Sequence, residues 1–512
     1  FVALSDDEVQ ALFAEARRRG DLLPGFEVRA GQLMMSQAVA SSIAHEGHLA
    51  VEAGTGTGKS LAYLLPALAH SLRSGERVVI STQTLNLQEQ LAEHDMPAAA
   101  SLVEGTEGLL PGSLRMALLK GRSNYLCVER WSQMMDAESP PSLEQARLPA
   151  RVCVWLNETV TGDRSELYLR AGDRLRWAEM AADTNDCLAR RCQFVREGSC
   201  FLQRARSEAA AAHVVIVNHA LLLNNAANGD QVLPAFKHLV VDEAHRLEGV
   251  ATEQFGGSLM LPEIGRLLDE VAVGGVSHAA ELRDAAKLDP MPLSPAAGLT
   301  GLADELVAGT VNVRVRLPEL EEALVGYIDE FSERGGERRV LITVGRRVQP
   351  LWADVEEGAI HVELALEDLG RRILRAEVSL GMLSLNGMTE LEKLRGVLIR
   401  AADTAARQAD ILRQSIQRAD PEMVVWLSMN SRGVRIDMAP LDVAERLEEE
   451  LWARRKSVLA TSATLSTQGS FDFSMRRLGL FDSDTLDVPS PFDYRQAVRV
   501  LIVNDLPEPG QP

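Results

Sequence analysis

The sequence predicts an α/β protein whose mainly parallel sheet is interrupted by two long insertions. Three observations predict it. Short β-rich apolar runs at 49–51, 78–80, 214–217, 239–241 and 458–459 are each followed by polar residues, the pattern of strands buried on both faces. Between the first two runs, Leu61, Leu64, Leu65, Leu68 and Leu72 fall on one face of an amphipathic helix, so strand, loop, helix and strand form a βαβ unit. The intervals 105–211 and 250–455 are too long for structureless loops in a compact protein and read as inserted domains.

The first strand runs into Ala53-Gly54-Thr55-Gly56-Thr57-Gly58-Lys59-Ser60, where the helix begins. Glycines let backbone N–H groups turn toward phosphate oxygens, and a helix N-terminus adds partial positive charge. Lys59 is expected to reach the β- and γ-phosphates of ATP, and Ser60 to hold Mg²⁺. Ala53 stands where the strict pattern has glycine. The competing interpretation is a chance glycine-rich turn, which a flanking strand and helix disfavour.

Asp242-Glu243-Ala244-His245 closes the run 239–241. A carboxylate at the end of a parallel strand lies at the ligand edge of its sheet. Asp242 is expected to bind Mg²⁺ through water, and Glu243 to orient and deprotonate the attacking water. His245 is grouped with Lys59 and this pair as catalytic. Alone the motif reads equally as a solvated acidic turn, and the phosphate loop tips the balance. Thr461-Ser462-Ala463-Thr464 follows the run 458–459 and is expected to relay the state of the γ-phosphate to bound nucleic acid. Ser81-Thr82-Gln83-Thr84 and Gln88 supply hydroxyls and amides for phosphate or sugar contacts, with helix capping as the alternative.

The net charge of −20, from 53 Lys and Arg against 73 Asp and Glu, argues against a nucleic-acid binder if the chain is taken as a whole. The first insertion is locally different. It collects Lys120, Arg122, Arg130, Arg190, Arg191, Arg196, Arg204 and Arg206, interleaved with Tyr125, Trp131, Phe194 and Phe201. Cations track a phosphate backbone and aromatic faces stack on unpaired bases; the alternative is a solvated basic surface whose aromatics form a small core. All five cysteines lie here too. Cys127 followed by Cys187, Cys192 and Cys200 suits four-thiolate ligation of an iron–sulfur cluster or of Zn²⁺. Paired C-x2-C motifs typical of zinc are absent, which favours a cubane cluster. Cys153, within a helical stretch, is expected in the core. No apolar run is long enough to span a membrane and no signal peptide opens the chain, so the cytoplasm is the default.

Several stretches occurring in order carry a resemblance: residues 83–90, Leu119-Lys120-Gly121-Arg122-Ser123-Asn124-Tyr125-Leu126-Cys127, the cysteine trio, Val217-Asn218-His219, Asp242-Glu243-Ala244-His245 and residues 461–465. Together they resemble the XPD-like, DinG-type superfamily 2 iron–sulfur DNA helicases, in particular the bacterial YoaA-like branch. The resemblance covers nearly the whole chain and is weak between 250 and 420. It implies a RecA-like P-loop motor domain at 1–104, 212–249 and 456–490. It also implies a [4Fe–4S] insert at 105–211, a mostly helical arch at 250–455, and the start of a second motor domain at 491–512. It further implies ATP-driven 5′ to 3′ movement on single-stranded DNA and action on forked or overhang duplexes in repair or replication, at the bacterial nucleoid. Arg29 and Gln32 are similar to the family's adenine-reading motif. Rival expectations are an RNA or RNA–DNA hybrid motor and an ATP-gated binding module without catalysis. The run 498–503 reads as a further strand. Without the arginines of a second motor domain, these 512 residues are expected to hydrolyse ATP poorly.

Overall fold

The computed structural model describes residues 4–110, 112–135, 143–170, 172–182, 192–273, 277–287, 298–332, 338–382, 389–418, 420–492 and 499. The chain divides into two compact units, one of residues 1–119, 207–251 and 443–512, the other of 120–206 and 252–442. Cys187, Arg190, Arg191 and the expected strand at 498–503, apart from residue 499, which is not in a strand, lie outside the described residues.

The first unit is built on seven strands: β1 (His48–Ala53), β2 (Val78–Thr82), β3 (Met116–Leu118), β4 (Val214–Asn218), β5 (His238–Asp242), β10 (Ser457–Ser462) and β11 (Ser483–Val488). Their spatial order is β11-β1-β10-β5-β2-β4-β3, and every pairing is parallel. Val78, Val79 and Ile80 in β2, and Val214 and Val215 in β4, are fully buried, because helices cover both faces of a parallel sheet. All five expected runs are strands of this sheet. Residues 105–119, expected within the first insertion, instead finish the helix Met96–Thr106 and supply the edge strand β3.

Helices α1 (Asp6–Arg18), α2 (Ala30–Ala44) and α3 (Lys59–Ser74) belong to the same unit. Ser5 opens α1 with a reciprocal capping box to Glu8. The expected amphipathic helix is α3, but its burial is not confined to the leucine face: every residue from Leu61 to Ser71 is buried. It packs against α2 and the helix Met96–Thr106 as well as the sheet, so its small residues Ala62, Ala67 and Ala69 face neighbours rather than water. Leu64, Leu65 and Leu68 are fully buried, worth roughly 1.5–3 kcal/mol each. Gly75, at φ +71°, closes the helix by donating to Ser71 O.

The second unit holds β6 (Gly257–Met260), β7 (Arg339–Ile342), β8 (Met423–Asn430) and β9 (Gly433–Pro440) in an antiparallel sheet ordered β6-β9-β8-β7. The β-rich patch read from sequence is the β8–β9 hairpin, and β6 and β7 extend it. Long helices Leu299–Phe331, Pro350–Gly381 and Thr389–Leu412 share one core with this sheet through Leu306, Leu324, Tyr327, Trp352, Leu366 and Leu398. A separate small core joins Tyr125, Leu126, Trp155, Trp177, Met180 and Phe201. Cys153 is exposed, contrary to expectation. Val152 and Trp155, three apart on the same helix, are the buried pair, and the intervening position points elsewhere.

Candidate nucleotide-binding site

The carboxyl ends of the parallel strands bring the sequence-predicted phosphate loop and acidic motif to one edge. β1 ends at Ala53 and opens into the phosphate loop. Gly56 and Gly58 have φ of +82° and +83°, a left-handed backbone that favours glycine. A Cβ on Gly58 would lie 2.3 Å from Gln32 Nε2, and one on Gly56 would lie 2.2 Å from the Phe492 ring. Thr57 is buried; its Oγ1 donates to Gly54 O at 2.6 Å, so it shapes the loop from inside. Thr55 and Gly56 are exposed. Lys59 Nζ donates to Ala53 O at 3.2 Å, an ammonium held across the loop's mouth.

Asp242 ends β5, directly across from Thr461 of β10. Its Oδ2 accepts from Tyr63 OH at 3.2 Å and its Oδ1 from the Glu243 N–H at 3.0 Å. Burial, then the neighbouring Glu243 charge, push the Asp242 carboxyl up to about 6, while Lys59 pulls the other way. Glu243 sits at φ +54°, a conformation L-residues rarely adopt and one that clusters at functional sites. His245 Nδ1 lies 2.7 Å from Ser462 Oγ and 3.4 Å from Glu243 Oε2. Ser462 Oγ also accepts from the Thr464 N–H. Glu52, one residue before the phosphate loop, accepts from the N–H groups of Leu465 and Ser466. The loop after β10 is thus bonded both to the acidic motif and to the strand that carries the phosphate loop.

On the neighbouring strands, Ser81 Oγ lies 2.7 Å from His219 Nδ1, and burial lowers His219 to about 4, so the ring is neutral near pH 7. Thr84 caps the helix Leu85–Gln90 by accepting from the Leu87 N–H, the capping role rather than a free ligand hydroxyl. Gln88 is fully buried with neither amide atom hydrogen-bonded.

Gln32 is buried and its Nε2 donates to Gly58 O at 3.0 Å. It therefore ties α2 to the phosphate loop, while its Oε1 has no hydrogen-bond partner. Arg29, Gln32, Gly58 and Ser60 line a cleft of about 330 Å³ together with Phe26 and Asp95. Burial raises the Asp95 carboxyl, opposed by a hydrogen bond from Ser60. Tyr63, Glu52 and Asp95 belong to no motif read from the sequence. Only Glu52 left a signal there, as a lone carboxylate ending an apolar strand.

In the other unit, the sequence-predicted basic and aromatic patch is partly a core. Lys120 is buried and ion-paired with Asp163 at 2.5 Å. Tyr125 and Phe201 are buried in the small core, so they present no face for base stacking. Arg130 donates to Ala181 O, and Arg204 donates to Val160 O and lies over Phe201. Arg196 is exposed. Cys127 and Cys200 pack on the margin of the same core. Cys192 and Cys200 flank the short helix Gln193–Arg196, with the Cys200 N–H donating to Phe194 O. Cys127 and Cys200 at the margin of this core and Cys192 at the start of the short helix are part-exposed thiols, a donor type that suits a thiolate-bound cluster.

A DEAD/DEAH box helicase family model matches residues 34–101. The ATP-dependent DNA helicase YoaA of Escherichia coli (strain K12) is 30% identical over 98% of this chain and 70% of its own length. The chain belongs to the DinG/YoaA family of DEAD/DEAH-box helicases. A family relative in Bacillus subtilis (strain 168), named 3'-5' exonuclease DinG, is 29% identical over the whole chain, which spans 55% of that protein's length. An XPD helicase structure aligns with 92% of this chain and 63% of its own, at 13% identity and a TM-score of 0.42. Among the described residues, no helix is long and apolar enough to cross a membrane.

Proposed function

We propose that this chain carries the ATP-binding part of a DNA helicase that moves 5′ to 3′ on single-stranded DNA, in repair or replication. The observation that carries the proposal is Asp242-Glu243 at the end of the central parallel strand β5, beside β10, with His245 against Ser462 and the Lys59 charge acting on Asp242. The loop's N–H groups and the start of α3 would hold the phosphates. Lys59 would exchange Ala53 O for a phosphate oxygen. Ser60 and Asp242 are the residues that would hold Mg²⁺, and a buried carboxylate with a raised pKa is suited to a cation. The ion, when bound, spreads the charge that builds on the transferring phosphoryl group. Glu243 would orient the attacking water and take its proton.

Loss of the γ-phosphate would act through Glu243 on His245, from there on Ser462, and so on the loop that Glu52 anchors. Arg29, Gln32 and Phe26 would receive the adenine. Cys127, Cys187, Cys192 and Cys200 would hold a [4Fe–4S] cluster. Single-stranded DNA and forked or overhang duplexes are the proposed substrates, and the bacterial cytoplasm and nucleoid the proposed location.

The test compares the intact gene product with its Glu243→Gln variant on matched duplexes with a 5′ or a 3′ single-stranded tail, in DNA and in RNA. Unwinding confined to the 5′-tailed DNA, with hydrolysis by the variant down at least about a hundredfold and ATP binding retained, is the expected result. Equal unwinding of the 3′-tailed or RNA duplexes, or full activity of the variant, overturns the proposal.

A further inference from the structure

The opposite end of the same parallel sheet carries a second cluster. His238 is the first residue of β5, Ser457 the first of β10, Glu76 precedes β2, and His70 lies in the last turns of α3. His238 Nε2 is 3.0 Å from His70 Nε2 and 2.8 Å from Glu76 Oε2, and His70 Nε2 is 3.8 Å from the same oxygen. Both rings are buried.

Protons satisfy this trio poorly. A neutral imidazole has one N–H to place on two nitrogens. If His238 Nε2 carries it, that single N–H must serve both the carboxylate and the other ring. If it does not, a lone pair faces a carboxylate oxygen at 2.8 Å.

We propose that His70, Glu76 and His238 bind one divalent transition ion of the zinc class. The three ligand atoms lie within 4.8 Å of one another. From the three separations, a point about 1.9 Å from all three atoms lies in their plane, and lifting it about 0.7 Å brings it to about 2.0–2.1 Å, the bonding range for imidazole and carboxylate on Zn²⁺. The surroundings are those of ligating groups. Ser457 Oγ lies 2.8 Å from His238 Nδ1, the outer hydrogen bond that fixes the orientation of a metal-bound imidazole. Lys237 and Lys456 hold the far carboxylate oxygen, Oε1, at 2.7 and 3.2 Å, which leaves Oε2 to the ion. Lys456 is itself bonded to Glu46, so added positive charge has a second carboxylate nearby.

Water completes four-coordination on the solvent side of Glu76. The ion fastens α3 and the amino-terminal ends of β2 and β5, and through Ser457 that of β10, where no nucleotide contact holds them. Two imidazoles and a carboxylate distinguish it from any thiolate site in this chain.

Co²⁺ is the probe, added to the cluster-loaded chain and to its Glu76→Gln and His70→Gln variants. Wild type is expected to bind one equivalent with weak visible d–d bands and no intense near-ultraviolet thiolate band, and each variant to lose it. Zn²⁺ is expected to raise the wild-type Tm by several degrees and to leave the variants unmoved. Far-UV circular dichroism checks folding, and Glu76, part exposed, offers the milder substitution. Absence of the nitrogen-and-oxygen Co²⁺ spectrum in wild type overturns the proposal outright. An equal Co²⁺ count in wild type and the Glu76→Gln variant does so as well.

Discussion

Asp242→Asn should make the nucleotide-free protein more stable while ending hydrolysis. The carboxyl rises from 3.8 to about 6 in the folded chain, about 2 units, and at ~1.36 kcal/mol per unit the buried charge costs about 3 kcal/mol. The amide removes that charge but keeps only one acceptor for the two donors, Tyr63 OH and the Glu243 N–H. One lost bond is worth about 1 kcal/mol, so the net gain is about 1–2 kcal/mol at pH 8. Because the folded-state pKa lies above the unfolded value, the carboxyl's stabilising effect is complete below about pH 4 and is lost as pH rises through 6. The advantage of the variant should therefore vanish by about pH 4. The assay is the first urea transition of wild type and variant, without nucleotide, at pH 8 and at the lowest pH where both fold. A variant no more stable than wild type at pH 8 would show that the buried charge is compensated by something other than Lys59, and would refute the reasoning.

Three further outcomes are expected. Gly58→Ala places a Cβ at φ +83°, 2.3 Å from Gln32 Nε2; the backbone alone costs about 1–2 kcal/mol, and ATP affinity in equilibrium binding should fall at least about tenfold. Ser462→Ala removes the partner of His245 and the acceptor of the Thr464 N–H; the ratio of ATP hydrolysis with and without single-stranded DNA should drop about tenfold, ~1.4 kcal/mol, with ATP affinity little changed. Lys120→Met strands the buried Asp163 carboxylate and should destabilise its unit by about 3–5 kcal/mol, read by limited proteolysis. Adding Asp163→Asn should restore part of that loss.

Much of the candidate nucleotide site was legible in the chain because it follows from local rules. A strand, a glycine-rich loop and a helix in sequence make a phosphate cradle wherever they occur, and a carboxylate after a β-branched run lands at a strand end. These motifs are contiguous, so spacing alone locates Ala53 to Ser60 and Asp242 to His245. The family resemblance drew on the acidic motif together with further stretches, among them Leu119 to Cys127, the cysteine trio and residues 461–465. Burial was less legible. The leucine stripe of α3 predicted one buried face, but two further helices enclose it. Lys120 and the aromatics beside it had the composition of a nucleic-acid surface, yet Asp163, more than forty residues away in sequence, draws Lys120 into a core.

The sequence by itself determined the buried strand segments, the phosphate loop and the acidic motif, since each depends on residues adjacent in the chain. Only the tertiary structure decided which partners these groups meet. Tyr63 on Asp242, Ser462 on His245, Glu52 on the loop after β10, and His70 against His238 are pairings across 168 to 413 residues. Such pairings arise from strand order in the sheet, where β1 lies beside β10 and β10 beside β5. Strand order is a property of packing that no local spacing encodes.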